Sequence, residues 1–474
     1  MTFRTSALNY ASAAVALLVI IGGANTLLGQ LAVTMPTPPP GAADSSTEEG
    51  HTQIDDSFDF RQWRLEKRRS ALEDTKFELN LRTFYFDRNQ FDGSESEAWA
   101  IGGWFGFKTG YFLDHIAFGA TVYTSQPLDA PRDKDGTLLL RPGQDGYTVL
   151  GEAYADIRII NGLNLTIGRK AYDTPFINRN DVRMTPNTFE AIVLQGKLEL
   201  DKPEVNKDGM ALSKEGKDAP VPAPAPSPDM AILKYGAGYF HQIKERNNDI
   251  FVSMAIDAGA RVERGVYTAG AVYEKGKFSI GAIDYYSDDI INIGYGELKF
   301  EIPFADSVRP RFATQFIDQR STGADLLQGS SFSTRQFGIK VELPVKKALF
   351  TAGFTHADGD ANLRNPWSGY PGYTSVQVQD FNRAGESAFL FRIGYDFPWV
   401  DGLSAYALGV WGTTPDQAGQ FRQDEYDLNV QWTPPKGVLK GLSLRLRYAV
   451  VQQHGGNVQD LTDFRAICNY VIKF

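Results

Sequence analysis

Residues 463–474, the last twelve of the chain, constrain its fold more than any other stretch. Their side chains divide into two alternating sets, with the period of two that a β-strand produces. One set is apolar: Phe464, Ala466, Cys468, Tyr470, Ile472 and Phe474. The other is mixed-polar: Arg465, Ile467, Asn469, Val471 and Lys473. The ends of soluble domains usually fray, so a strand that continues to an aromatic last residue predicts a closed β-barrel, whose last strand pairs with its first.

The composition agrees with a transmembrane barrel and excludes several other classes. Hydrophobic residues make up 42% of the 474 residues and the mean hydropathy is -0.29, which is too polar for a bundle of membrane helices but typical of a barrel that exposes alternate residues to lipid. A net charge of -9 argues against a nucleic-acid partner. The one cysteine, Cys468, excludes an internal disulfide, and we interpret it as a small apolar side chain. No cofactor or metal site is predicted.

The chain divides into an exported N-terminal part and a barrel. Arg4 precedes an apolar run at 11–28, so we predict a signal peptide over 1–30, with an uncleaved anchor as the alternative. Residues 31–76 are expected to form a linker and a periplasmic N-terminal segment, because 36–49 is rich in proline, serine and acidic residues. The charged stretch 58–75 is either a short helix or a tether, and a solvated segment is the expectation. The barrel occupies 77–474, in the outer membrane of a Gram-negative bacterium.

Strand patterns recur from residue 77 onward in segments of about ten residues, as in outer-membrane barrels. The clearest are 77–85, 149–159, 163–168, 389–397, 426–433 and 442–450. Short connections, at 161–162, 274–276, 344–346, 398–402 and 434–437, alternate with long ones, at 125–147, 171–188, 242–265, 319–332, 357–383 and 452–462. The count predicts an all-β fold, a transmembrane antiparallel β-barrel of about 18 strands, with short periplasmic turns and long extracellular loops.

One connection departs from this rule. Residues 201–229 fall where a short turn is due, and 220–228 place a proline at every second position. Alternating prolines cannot join a strand ladder. We therefore expect a flexible periplasmic excursion, with a docking site for a periplasmic partner or the cell wall as the alternative.

Arginines on the predicted inner face are the first candidates for a functional site. They are Arg82, Arg158, Arg309, Arg311, Arg392, Arg445, Arg447 and Arg465. Arg309 and Arg311 are two residues apart, as are Arg445 and Arg447, so each pair is expected to share one face of one strand. A file of guanidinium groups in a narrow pore attracts anions and can pass a carboxylate from one bidentate contact to the next. The alternative is that each arginine pairs with an acid of the lumen and only fills the barrel.

The loop at 171–188 is the second candidate, because it is long and rich in Asn, Asp and Arg. A loop folded into a barrel narrows the pore and sets its selectivity. An ordinary exposed loop would have the same composition, and the sequence leaves both interpretations open.

Four segments resemble the OprD-type outer-membrane porin family: PFINRNDVRMTPNTFE at 175–190, GAIDYYSDDIIN at 281–292, GYFHQIKERNNDIFVSM at 238–254, and the closing strand at 463–474. The resemblance implies a barrel of about 18 strands, found as a monomer or homotrimer in outer-membrane lipid. It also implies passive uptake of small anionic or zwitterionic solutes that carry a carboxylate, including basic amino acids and aromatic acids. A basic ladder would face a polar constriction. The resemblance places Asn178, Asp181 and Arg183 at the constriction, with Tyr285, Asp288 and Asp289 near the pore mouth.

Two other functions compete with a substrate-selective porin. A barrel hydrolase acting on lipid needs a serine and histidine set, but none of the five histidines lies in a nucleophile motif, so we do not expect an enzyme. A structural barrel that anchors the envelope, with little role in transport and with 201–229 as its working part, is the remaining alternative.

Overall fold

The structure is a computed structural model that describes residues 60–200, 230–304 and 308–474. Within these residues there are two α-helices, α1 (Phe60–Glu73) and α2 (Met254–Asp257), and two 3-10 helices (Arg132–Lys134 and Gly437–Leu439). The first nine strands are β1 (Lys76–Asn89), β2 (Glu95–Lys108), β3 (Ile116–Asp129), β4 (Tyr147–Ile160), β5 (Leu163–Lys170), β6 (Thr188–Glu199), β7 (Ile232–Lys244), β8 (Val252–Ser253) and β9 (Val266–Lys275). The remaining strands are β10 (Phe278–Ser287), β11 (Ile291–Glu301), β12 (Arg311–Arg320), β13 (Ser333–Val345), β14 (Ala348–Gly359), β15 (Ser387–Asp396), β16 (Leu403–Gly412), β17 (Gln423–Trp432), β18 (Leu442–Gln453) and β19 (Leu461–Lys473). Among the described helices, none has the length and apolarity needed to cross a membrane.

All strands except the two-residue β8 form one closed, antiparallel, 18-stranded barrel. Each strand pairs with the next along the chain, β7 pairs directly with β9, and β19 returns to β1. We call the β19–β1 contact the seam. Its register runs from Glu78 opposite Lys473 to Asn89 opposite Thr462. The predicted fold class and the closing role of the last strand are therefore confirmed.

The two faces of the wall differ as the alternation predicts. Outward-facing Leu81, Phe389 and Leu446 are 51%, 53% and 53% exposed, because nothing but lipid covers them. Their inward-facing neighbours, such as Arg82 and Asn429, are buried by the lumen contents. The apolar side of the wall thus faces the membrane, and the polar side faces the lumen.

The connections on one rim are short, and those on the other are mostly long. The long-loop rim also contains three connections that were not predicted from the sequence. Two are tight, 90–94 and 288–290, and the third is the loop 413–422. The predicted excursion at 201–229 joins β6 to β7 on the short-turn rim, but it lies outside the described residues, as do the signal peptide and 31–59.

The charged stretch at 58–75 contains a helix. Of the two alternatives, a short helix or a tether, the structure has the helix, and the expectation of a solvated segment is corrected. α1 docks on the turn between β2 and β3, where the Gly110 N–H donates to the Ala71 carbonyl at 2.8 Å. Ala71 is fully buried, and Lys67 forms an ion pair with Asp114 at 2.8 Å. The helix is thus part of the short-turn rim.

Three long loops fold into the barrel and form what we call the inner layer: 171–187, 245–265 and 360–386. Phe176 packs edge-on against Tyr370, with ring centroids 6.2 Å apart. The Trp367 indole N–H donates to the Met254 carbonyl at 2.8 Å. The three loops therefore pack on one another and narrow the lumen.

A buried carboxylate holds the seam together. Asp463 of β19 accepts hydrogen bonds from Arg88 of β1 at 2.6 Å and from Arg465 at 2.7 Å, and its side chain is fully buried. We expect Asp463→Asn to lower the free energy of unfolding by about 3 kcal/mol, because two largely buried guanidinium groups lose their counter-charge. Urea unfolding in detergent, followed by tryptophan fluorescence, measures this change.

Asp460→Asn is the matched control, since Asp460 lies in the exposed loop before β19 and accepts one hydrogen bond, from Gln452 at 3.3 Å. It should change stability by less than about 0.5 kcal/mol. An equal loss of unfolding free energy in the two variants would show that Asp463 does not stabilise the seam.

Candidate functional site

The loop at 171–187, which we call the constriction loop, connects β5 to β6 through the lumen. Hydrogen bonds hold it to the barrel wall and to the loop at 360–386. The Tyr285 hydroxyl on β10 donates to Thr174 Oγ1 at 2.9 Å and accepts from the Phe176 N–H at 3.1 Å. Asn178 Nδ2 donates to the Gly369 carbonyl at 3.2 Å. Tyr285 and Asn178, both predicted from the resemblance, thus hold the loop to the wall and to the inner layer.

Asp181 ties the tip of the constriction loop to the opposite wall. Its carboxylate forms a two-pronged ion pair with Arg82 of β1, with N–O distances of 2.6 and 3.1 Å. Arg82 Nε also donates to Asn469 Oδ1 at 2.6 Å, and its side chain is 7% exposed. Arg82 was predicted as part of the arginine ladder and Asp181 as part of the constriction. In the structure the two side chains form an ion pair, and their charges cancel.

Arg183 lies behind the constriction loop rather than in the open pore. It is buried, its Nε donates to the Thr137 carbonyl at 2.8 Å, and its guanidinium lies 5.0 Å from the Phe86 ring centroid. Burial, reinforced by the neighbouring Arg465, lowers the pKa of Arg183 well below its ordinary value. Its role in the structure is to join the constriction loop to the loop at 130–146.

The sequence reasoning missed the acids that hold the loop at 360–386. Glu425 of β17 accepts the Val378 N–H at 2.8 Å and the Gln379 N–H at 2.7 Å, one on each carboxylate oxygen. Asp427 accepts the Gln377 N–H at 3.2 Å. The alternation of β17 shows that both acids face inward, but no local signal in the sequence identifies a loop some 50 residues away as their partner.

Asp288 and Asp289 lie on the long-loop rim, in the tight turn between β10 and β11. Asp289 accepts the Ala324 N–H at 2.9 Å and an Arg264 nitrogen at 3.4 Å. Asp288 is more exposed and accepts the Tyr286 hydroxyl at 3.2 Å. The structure places both acids at the mouth of the barrel, where Asp289 links neighbouring loops.

Three of the eight candidate arginines have no ion-pair partner among the described residues and lie on two strands that β16 and β17 separate: Arg392 on β15 and Arg445 and Arg447 on β18. No carboxylate of the described residues lies within 4.0 Å of their guanidinium nitrogens. Arg392 stacks on Tyr406 at 3.9 Å, and Arg445 Nε donates to Asn429 Oδ1 at 2.5 Å. Nε of Arg392 and of Arg447 is buried without a hydrogen-bond partner among the described residues. We call these three arginines the open ladder.

The other five candidates are engaged. Arg82 and Arg465 are buried and paired with Asp181 and Asp463. The rest lie at the short-turn rim: Arg158 stacks on Tyr111 at 4.0 Å, and Arg309 and Arg311 lie 3.8 and 3.5 Å from Glu301.

The expectation that Arg309 and Arg311 share one strand is wrong. β12 begins at Arg311, and Arg309 belongs to the preceding connection. Pro310 between them has no N–H to donate to a strand ladder, which accounts for the boundary.

Open space remains beside the constriction loop. Cavities of about 650 Å³ and about 510 Å³ lie beside it, and both are lined by Asp173, Thr174, Pro175 and Tyr295. A small organic solute fits in either volume. Within the described residues, no cluster of three or more His, Cys, Asp or Glu side chains is arranged to hold a metal ion. The loops thus narrow the lumen, and the linings of these two cavities do not include the arginines of the open ladder.

Comparison with known proteins agrees with this architecture. A family model described as outer membrane porin, OprD family, matches residues 70–209 and 225–474. A search of curated proteins found no match. Solved structures similar to the chain include Pseudomonas aeruginosa OccK9 (OpdG), at 23% identity and a TM-score of 0.71, and P. aeruginosa OpdK with vanillate, at 19% and 0.68. A BenF-like porin from Pseudomonas fluorescens Pf-5 has 18% identity and a TM-score of 0.71. Each match covers 85% of this chain and 100% of the other, and at these identities it shows the fold.

Breaking the contact between Asp181 and Arg82 should loosen the constriction. We expect Asp181→Asn to lower the free energy of unfolding by about 1–3 kcal/mol, because the buried Arg82 loses its counter-charge. The freed loop tip should also raise single-channel conductance and current noise in planar bilayers.

Asp173→Asn on the same loop is the control. Asp173 pairs with Arg179 at 2.7 Å, but both side chains are more than half exposed, so the pair contributes about 0–1 kcal/mol. A loss of stability of the same size in both variants would contradict the special role of Asp181.

Proposed function

The chain belongs to the OprD family of outer-membrane porins, and from that premise we propose that it passes small carboxylate-bearing solutes along the open ladder by passive diffusion. The protein is a channel of the Gram-negative outer membrane, and porins are transport proteins rather than enzymes. The observation that carries the proposal is the set of three inward-facing arginines, Arg392, Arg445 and Arg447, without a carboxylate partner among the described residues.

Guanidinium groups suit a carboxylate both in charge and in shape. Each presents N–H donors in a planar fork that matches the two oxygens of a carboxylate. Arg445 and Arg447 lie on one face of β18, two residues apart and therefore about 7 Å apart along the strand. A solute can contact the second arginine before it leaves the first, so neither contact becomes a trap.

The neighbouring acids favour anionic solutes over zwitterionic ones. A free ammonium group needs an accessible carboxylate. Glu425 and Asp427, which lie on the strand beside β18, are buried and hold the backbone of residues 377–379. Asp181 is neutralised by Arg82. Around the open ladder these described acids are thus engaged, and the ladder itself offers positive charge to a carboxylate. The accessible acid of the constriction loop is Asp173, which lines both cavities. The relative solved with vanillate, an aromatic carboxylate, gives this class of solute further support.

The ladder is tested by removing two of its charges. In Arg445→Ala plus Arg447→Ala, we expect the rate of benzoate entry into proteoliposomes to fall about tenfold, equivalent to about 1.4 kcal/mol, while entry of a neutral sugar is unchanged or faster. Reversal potentials under a KCl gradient should shift toward cation preference.

Arg320→Ala plus Arg335→Ala is the matched control. Both arginines face away from the lumen and are more than half exposed, and both form an ion pair with Asp318. This variant removes the same charge from the outside of the barrel and should leave benzoate entry unchanged. If the ladder variant loses benzoate entry and sugar entry equally, the role of the ladder is rejected. If the wild-type channel passes a zwitterionic amino acid faster than benzoate, the preference for anions is rejected.

A further inference from the structure

α1 contacts the short-turn rim through one side of the helix. The Ala71 carbonyl accepts the Gly110 N–H at 2.8 Å and the Thr75 hydroxyl at 3.3 Å, and Lys67 pairs with Asp114. Lys67 and Ala71 are four residues apart, so they lie on one face of the helix. Trp63, a further four residues toward the N-terminus, continues this docked face and is half-buried.

The opposite face of α1 carries an apolar pair between basic side chains. Leu65 and Leu72 are 60% and 63% exposed, and their spacing of seven residues places them two turns apart on the same face. Arg68 and Arg69 lie between them and are also exposed. A single exposed leucine needs no explanation, but two stacked leucines flanked by arginines on a docked helix form the pattern of a helix that lies at a membrane surface.

The charge of α1 is opposite to that of the chain as a whole. The helix has five basic residues and two acidic ones, a net charge of +3, whereas the chain has -9. The basic residues are Arg61, Arg64, Lys67, Arg68 and Arg69, and the acidic ones are Glu66 and Glu73. Juxtamembrane basic groups gain about 1 kcal/mol each from an anionic lipid surface. The charge therefore selects an anionic surface rather than a neutral one.

α1 lies next to the membrane boundary of the barrel. The Phe77 ring at the start of β1 stacks on Phe474, with centroids 5.4 Å apart, and on Phe105, at 6.2 Å. All three rings belong to the outward-facing set, and aromatic rings at the rim of a barrel mark the lipid interface. Leu72 is five residues from Phe77, so the chain keeps it within about 18 Å of this girdle.

We propose that α1 is a membrane-surface helix that binds the anionic phospholipids facing the short-turn rim. Leu65 and Leu72 enter the boundary between headgroups and acyl chains, and Arg68 and Arg69 contact the lipid phosphates. Apart from its last four residues, α1 precedes the part of the chain that matches the porin family. The proposal thus concerns a feature that this chain adds to the barrel, and it does not depend on the solute that the channel passes.

Single-cysteine labelling of the full-length protein tests the proposal. In a Cys468→Ser background, a polarity-sensitive fluorophore is attached at Leu65→Cys, Leu72→Cys or Ser70→Cys. The last is the matched control, because Ser70 is exposed but lies on the far side of the helix from Leu65. The protein is placed in nanodiscs of phosphatidylcholine alone or mixed with phosphatidylglycerol, and quenching by aqueous iodide is measured.

We expect the labels at 65 and 72 to be shielded from iodide in the phosphatidylglycerol nanodiscs, and the label at 70 to remain accessible. Arg68→Glu plus Arg69→Glu should lower the ratio of immersed to exposed helix about thirtyfold, from the loss of two basic contacts. Channel conductance should be unchanged in every variant, which confirms that the barrel has folded.

Three results would overturn the proposal. The first is equal quenching at 65, 70 and 72 in both lipids. The second is equal shielding in the two lipids, which would mean insertion without recognition of the anionic headgroup. The third is rapid hydrogen exchange of the α1 amides in both nanodiscs, since an unfolded segment has no apolar face to insert.

Discussion

Closure of the β1–β19 seam is the constraint on which the rest of the structure depends. In hydrocarbon an unpaired backbone N–H or carbonyl costs several kcal/mol, so an open sheet edge is not tolerated. The Phe77 N–H donates to the Phe474 carbonyl at 2.8 Å, and the Phe474 N–H donates back at 3.2 Å, so pairing continues to the last residue. Because a slip of one residue would exchange the two faces of a strand, closure in this register also decides which side chains meet lipid and which meet the lumen.

The lumen then has to accommodate the charges that the lipid face excludes, and the structure uses arginines in two ways. Arg82 and Arg465 are buried, and each is neutralised by a carboxylate, Asp181 or Asp463. Those pairs fix the constriction loop and the seam. The open ladder has the same residue type on the same inner face without such partners. The positions of the carboxylates, rather than those of the arginines, therefore separate the arginines that hold the structure together from those that we propose to line the solute passage.

Local sequence patterns predicted the wall well because a period of two acts over a few residues. Alternation correctly placed Arg392, Arg445 and Arg447 inside, and the even strand count followed from the connections. Which arginine would be paired was not predictable, since the partners come from loops that return across the lumen, such as 171–187. For α1 the sequence offered a short helix only as an alternative to a solvated segment, for a different reason: its docked face includes the charged Lys67, so the helix has no apolar stripe in the sequence. Arginine, lysine, leucine and glutamate nevertheless favour a helix.

The unsatisfied donors of the open ladder contrast with Nε of Arg82 and of Arg465, which donate to Asn469 and Asp463, although Nε of Arg141 and of Arg364 in the loops also has no partner among the described residues. A buried N–H without a partner costs about 1–3 kcal/mol, and native proteins contain few of them. Nε of Arg392 and of Arg447 is in that state among the described residues, although the seam shows that a carboxylate such as Asp463 can serve two arginines at once. One carboxylate within hydrogen-bond reach would remove the cost, but Asp427 of the neighbouring β17 accepts the Gln377 N–H instead. A carboxylate that close would also occupy the outer guanidinium nitrogens that a passing carboxylate needs. We therefore interpret the absence of one within 4.0 Å, among the described residues, as the feature that keeps the proposed passage open to anions.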